Sequence, residues 1–78
     1  MLRLKLDKTL DGKIVFNYYP EDKEEFGTIT VDEKNGEIQI LNQANNDEFG
    51  DYKVHAISKI REYIKNKEYQ LDTIVAWY

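Results

Sequence analysis

A chain of 78 residues with 11 Lys/Arg against 15 Asp/Glu has room for one small domain and one core. It has no cysteine and a single histidine, which excludes disulfides, thiolate metal sites and a histidine-based metal cluster within one chain. A hydrophobic fraction of 41% with ten aromatic residues predicts an ordered globule, and no apolar run approaches the ~18 residues of a membrane span.

The start, MLRLKLDK, alternates Leu2, Leu4 and Leu6 with Arg3 and Lys5, the period of a half-buried strand rather than of a signal peptide. Residues 7–12 read as a connection, with Asp11-Gly12 supplying a residue that tolerates positive φ. Lys13 to Tyr19 is a second strand, with Ile14, Phe16 and Tyr18 on one face and Val15, Asn17 and Tyr19 on the other. Apolar character on both faces predicts a central strand, ended by Pro20, which cannot donate to a ladder. A charged loop follows. GTITV, DEKNG and EIQIL then read as a hairpin, with Ile29 and Val31 opposite Ile40 and Ile38, and Asn35-Gly36 closing the turn.

Asn46 to Glu68 reads as a helix, and Asn46 or Asp47 can cap its first turn. At 100° per residue Phe49, Tyr52, Ala56, Ile60, Tyr63 and Ile64 form an apolar stripe opposite Val54, His55, Ser58, Arg61, Glu62 and Lys65. TIVAWY is a last strand of high β-propensity. The order β-β-β-β-α-β predicts an α+β two-layer sandwich, an antiparallel sheet with one helix packed on one face. The sequence leaves open where the last strand inserts.

No motif carries a reaction. Asp51, His55 and Lys59 share one side of the helix by their spacing of four, but a catalytic histidine also needs a pocket and a reacting partner. His55 therefore reads as a solvated helix residue, with Ser58 on a different part of the polar face. A calcium loop placed on Asn45 and Asp47 with Gly50 at its turn fails, since Phe49 and Ala56 occupy ligand positions. Gly12, Gly27, Gly36 and Gly50 are too scattered for a phosphate-binding loop. No catalytic residue, cofactor site or metal site is predicted.

Charge is uneven: residues 1–50 carry 6 Lys/Arg against 11 Asp/Glu, and residues 51–68 carry 5 against 3. The helix cations Lys53, Lys59, Arg61, Lys65 and Lys67 spread around the circumference. An acidic domain without a basic stripe is a poor binder of nucleic acid, which stays the alternative reading through these cations or the sheet aromatics. The aromatics are the least ordinary feature. One helix covers one face of a sheet, so the other is expected to present Val15, Tyr19 and Leu41, flanked by Thr28 and Thr30. Either Val75 with Trp77 or Ile74, Ala76 and Tyr78 should join them. The expected interaction surface is Val15, Tyr19, Leu41, Trp77 and Tyr78, and the expected partner is a protein or a second copy, through paired faces or edge strands. Filling of a small core is the competing explanation of the same side chains.

The hairpin DEKNGEI, the helix DEFGDYKVHAISKIREYIK and the ending VAWY together resemble short proteins of unknown function from Gram-positive bacteria and their mobile elements. The resemblance implies a cytosolic bacterial accessory protein and brings no active-site residues with it.

Overall fold

The computed structural model describes residues 1–76; Trp77 and Tyr78 lie outside the described residues. Five strands, β1 (Leu2–Leu10), β2 (Lys13–Pro20), β3 (Gly27–Asp32), β4 (Ile38–Asn42) and β5 (Asp72–Val75), and one helix, α1 (Asp51–Asn66), build a mixed α+β fold. The sheet is antiparallel in the order β4-β3-β2-β1-β5, so β2 is central, as its two apolar faces predict. Each of the first three strands pairs with the next, and α1 carries the chain from one edge of the sheet to the other. The last strand inserts beside β1, with Leu2 opposite Val75 and Leu4 opposite Thr73.

The helix side of the sheet is the core. Leu2, Leu4, Phe16, Tyr18, Ile29 and Val31 are fully buried there, against Ala56, Ile60 and Tyr63 of α1. Phe16, Tyr63 and Tyr69 form an aromatic trio with ring centroids 6.0–6.2 Å apart, in the range where tilted rings attract. Much of the aromatic surplus is thus core. The β3–β4 hairpin has the expected register, Ile29 opposite Ile40 and Val31 opposite Ile38, with Gly36 at φ 73.

Three local expectations are corrected. The segment after Leu6 is not a connection but continues β1 to Leu10 across a bulge between Leu6 and Lys8, and Asp11 and Gly12 both take positive φ in a two-residue turn. The helix begins at Asp51 rather than Asn46, and Phe49, expected on its apolar stripe, precedes it and is 85% exposed. The capping expectation held for Asp47 in a different form. Its carboxylate lies well ahead of the helix and accepts the backbone N–H groups of Tyr52 at 3.1 Å and Lys53 at 2.9 Å. It also accepts the Tyr18 hydroxyl at 3.2 Å, while that hydroxyl accepts the Ala44 N–H at 3.0 Å. Asp47 and Tyr18 are both buried, so this network pins the connection from β4 to α1 onto the central strand.

Burial pushes the Tyr18 phenol up to about 12; the Ala44 N–H opposes the shift and nearby Asp47 adds to it. In the unfolded chain the same phenol loses its proton near its ordinary value of 10, so ionisation favours the unfolded state as pH rises from there towards 12. Stability from this group is complete below pH 10, and its loss above that amounts to roughly 2–3 kcal/mol. Chemical denaturation of the wild type and of Tyr18→Phe across pH 8 to about 11.5 should show a steeper alkaline fall in the wild type. Parallel curves would mean that the folded phenol ionises normally.

Candidate interaction surface

Side chains alternate across a strand, so the residues between the core positions all emerge on the side away from α1. The cross-strand register places Lys8, Val15 and Thr30 in one row there, and Asn17 and Thr28 in another. Thr28 donates its hydroxyl to Asn17 Oδ1 at 3.0 Å, a pairing that satisfies two half-buried polar groups on this face. The surface is not flat. Bulges interrupt β1 at Asp7 and β4 at Leu41, and a bulge bends its strand and increases the local twist. With both flanks bent, the face forms a depression of about 660 Å³.

Val15 and Thr30 form its floor and are 8% and 5% exposed, although among the described residues no second layer covers them. Leu10, Phe26 and Leu41 stand at its rim, 55%, 45% and 62% exposed. Asp7, Lys8, Asp11 and Lys13 surround the end near the β1–β2 turn with balanced charge. A bowl with an apolar rim, a floor of Val15 and Thr30 and charges of both signs at one end can take an apolar side chain or short segment.

The expected surface residues divide on this geometry. Val15 and Leu41 come together in the depression. Tyr19 lies on the same side but beside it, its ring 5.2 Å from that of Phe26 and 5.4 Å from Lys5 Nζ. Of the two alternatives for the last strand, Ile74 pairs with Arg3 on this side and Val75 joins the core side. Trp77 and Tyr78, also expected here, are outside the described residues. Leu10 and Phe26 were missed. Leu10 was read as part of a connection, and Phe26 sits in a charged loop where no periodicity assigns a face; its neighbour Tyr19 was the only available signal.

The remaining part of this face, over β1 and β5, is closed by charge. Arg3 donates from Nε to Asp22 at 2.7 Å and from Nη1 to Asp72 at 2.9 Å. The Arg3 bond holds the Asp22 carboxyl below its usual value, and Asp22 in turn raises Arg3. These groups are engaged with one another, so the apolar bowl is the open part.

His55 is half-buried rather than solvated, and it lines a groove of about 320 Å³ with Ser58, Lys59 and Glu62 against residues 74–76. The sequence puts His55 and Ser58 on different parts of the polar face; the rim of β5 brings both to one groove. Lys59 donates to Glu62 at 3.2 Å. Among the described residues, no three His, Cys, Asp or Glu side chains converge where a metal ion could be held. Among the described residues, no helix is long and apolar enough to cross a membrane.

No protein-family model, curated protein or solved structure matches this chain. The functional reading therefore rests on the geometry of its own surfaces.

Proposed function

We propose that this protein is a small non-enzymatic protein-binding or regulatory module that acts through the open face of its sheet and self-associates through that sheet. The observation that carries this reading is the bowl itself, with Val15 and Thr30 sunk in its floor and three large apolar side chains exposed around it. Exposed apolar groups gathered around a concavity, rather than scattered singly, mark contact surfaces on small soluble domains. The resemblance to cytosolic accessory proteins of Gram-positive bacteria supports the same proposal, of which a cytoplasmic location is part.

Phe26→Glu and Leu41→Glu test it. Each changes an exposed rim residue, so stability should move by less than about 0.5–1 kcal/mol. Crosslinking in a Gram-positive host should capture a protein through a photoreactive group at position 10 in the otherwise native chain, and lose it in Phe26→Glu and in Leu41→Glu. Capture that survives both substitutions would remove the bowl from the interaction. The nucleic-acid reading draws less support, because Asp7 and Asp11 stand at the bowl's edge. Salt-sensitive binding to a single-stranded or duplex probe at low ionic strength would reverse that ranking.

A further inference from the structure

The fold leaves β4 as an edge strand with an uncommon composition. Ile38–Asn42, IQILN, contains no lysine, proline or other charge, the devices by which natural sheets keep an edge from pairing. The one blunting feature is the bulge at Leu41, and it leaves Ile38 to Ile40 regular. Hydrogen-bond parity is set by the Asp32 N–H donating to the Glu37 carbonyl at 2.9 Å. Gln39 then turns its backbone groups and Glu37 its carbonyl towards β3, with the Glu37 N–H donating to Asn35 Oδ1 at 2.8 Å, and Ile38 and Ile40 turn theirs outward.

The side chains of the same two residues are incompletely covered. Their cross-strand partners Val31 and Ile29 are fully buried, yet Ile40 is 42% exposed and Ile38 half-buried. The cause is the position of α1, whose main contacts are with β1, β2 and β5 rather than with β4.

From this we infer that β4 pairs with β4 of a second copy, antiparallel, about a two-fold axis through Gln39. The inference rests on the reading of the sheet as the interaction element and deepens it by naming the partner. The register follows from the outward groups: Ile38 of each copy meets Ile40 of the other, giving four backbone hydrogen bonds. On the helix side this sets isoleucine against isoleucine and covers the surface that α1 leaves open. On the bowl side Gln39 meets Gln39, whose amides can each donate and accept. Glu37 falls opposite Leu41, so no like charges face each other. The Ile-Gln-Ile pattern lets the two-fold pair each isoleucine with an isoleucine and Gln39 with its own copy, so the edge is complementary to itself. The product is a continuous sheet of two five-stranded halves with both helices on one side and both bowls side by side on the other. The contact is small, so the dimer should be reversible and depend on concentration.

Wild-type protein should sediment as a monomer–dimer equilibrium between micromolar and millimolar concentration. Amide exchange at Ile38 and Ile40 should slow with concentration, while exchange at Glu37 and Gln39 should not. Ile40→Pro removes an outward N–H that the monomer does not use, and Ile40→Lys places a charge on the same edge. Both should raise the dimer Kd by at least about tenfold. A strict monomer at millimolar concentration would overturn the pairing, as would a dimer with unchanged exchange at Ile38 and Ile40. A dimer that both variants leave intact would do the same and would assign association to the bowl. If Phe26→Glu loses its partner while dimerisation persists, the edge stands and the two surfaces act separately. If dimerisation is lost with partner capture intact, the bowl reading stands alone.

Discussion

Gly27→Ala is expected to be among the most damaging single-methyl additions in this protein. Gly27 opens β3 directly across from Tyr18, and the Tyr18 ring lies flat over the place where a side chain would be. A Cβ there would stand 2.7 Å from Tyr18 Oη and closer still to the ring carbons. Gly27 does not adopt the left-handed backbone that only glycine tolerates readily, so the cost is one of space and not of φ. On entropy alone alanine in a strand would gain roughly 0.5–1 kcal/mol over glycine. Displacing a buried tyrosine outweighs that, since its hydroxyl must leave both Asp47 and the Ala44 N–H as the ring moves. Overpacking of this kind costs roughly 1–3 kcal/mol and each buried bond lost adds about 1 kcal/mol, so a net loss near 3 kcal/mol is expected by urea denaturation. The cause can be isolated by repeating the substitution in a Tyr18→Leu background, where most of the cost should vanish. A loss that is equal in both backgrounds would place its origin elsewhere.

The elements with strict periodicity were legible from the residues. Ile29 and Val31 against Ile40 and Ile38 followed from alternation and one Asn-Gly turn, because a slip of one residue would have turned Ile38 and Ile40 outward. The apolar stripe of α1 was legible for Ala56, Ile60 and Tyr63, whose spacing only a helix satisfies. Its start was not. Asp47 has the composition of a cap, but its partners Tyr52 and Lys53 lie five and six residues on, and the looping chain between them has no periodic signal. That gap is also why Phe49 was misplaced.

The interaction surface was half legible for a related reason. Alternation places Val15 and Leu41 on the face that α1 does not cover, and nothing in a pattern of period two distinguishes a flat face from a bowl. The bowl comes from two bulges, and an extra residue in a strand looks in sequence like the end of that strand, as Asp7 did. The free edge has the opposite history. IQILN was visible, but its position at the margin of the sheet depends on β5 joining β1 instead of β4, a choice made by the length and direction of α1. Had β5 paired with β4, Ile40 would be covered and the bowl would lie nearer the centre of the sheet.

Asp47→Ala should destabilise the protein by roughly 2–4 kcal/mol, enough to leave little of the ~3–5 kcal/mol that a core of this size supplies. Alanine removes one carboxylate and strands three donors. The N–H groups of Tyr52 and Lys53 belong to the first turn of α1, where no earlier carbonyl is available to them, and losing a cap costs about 0.5–2 kcal/mol. The Tyr18 hydroxyl loses its acceptor in a fully buried site, which costs a further 1–3 kcal/mol or so. Asp47→Asn separates the contributions, since one amide oxygen can still accept from the helix but cannot serve all three donors. Its loss should fall between wild type and alanine. Tyr18→Phe should cost less than Asp47→Ala, because the two helix donors keep their partner. Asp47→Ala combined with Tyr18→Phe should be less destabilised than the sum of the two, by about 1 kcal/mol or more, as expected for groups in one network. Strict additivity would mean that the carboxylate serves only the helix. In that case the connection from β4 to α1 would be held on the central strand by Ala44, through its packing and its N–H bond to the Tyr18 hydroxyl.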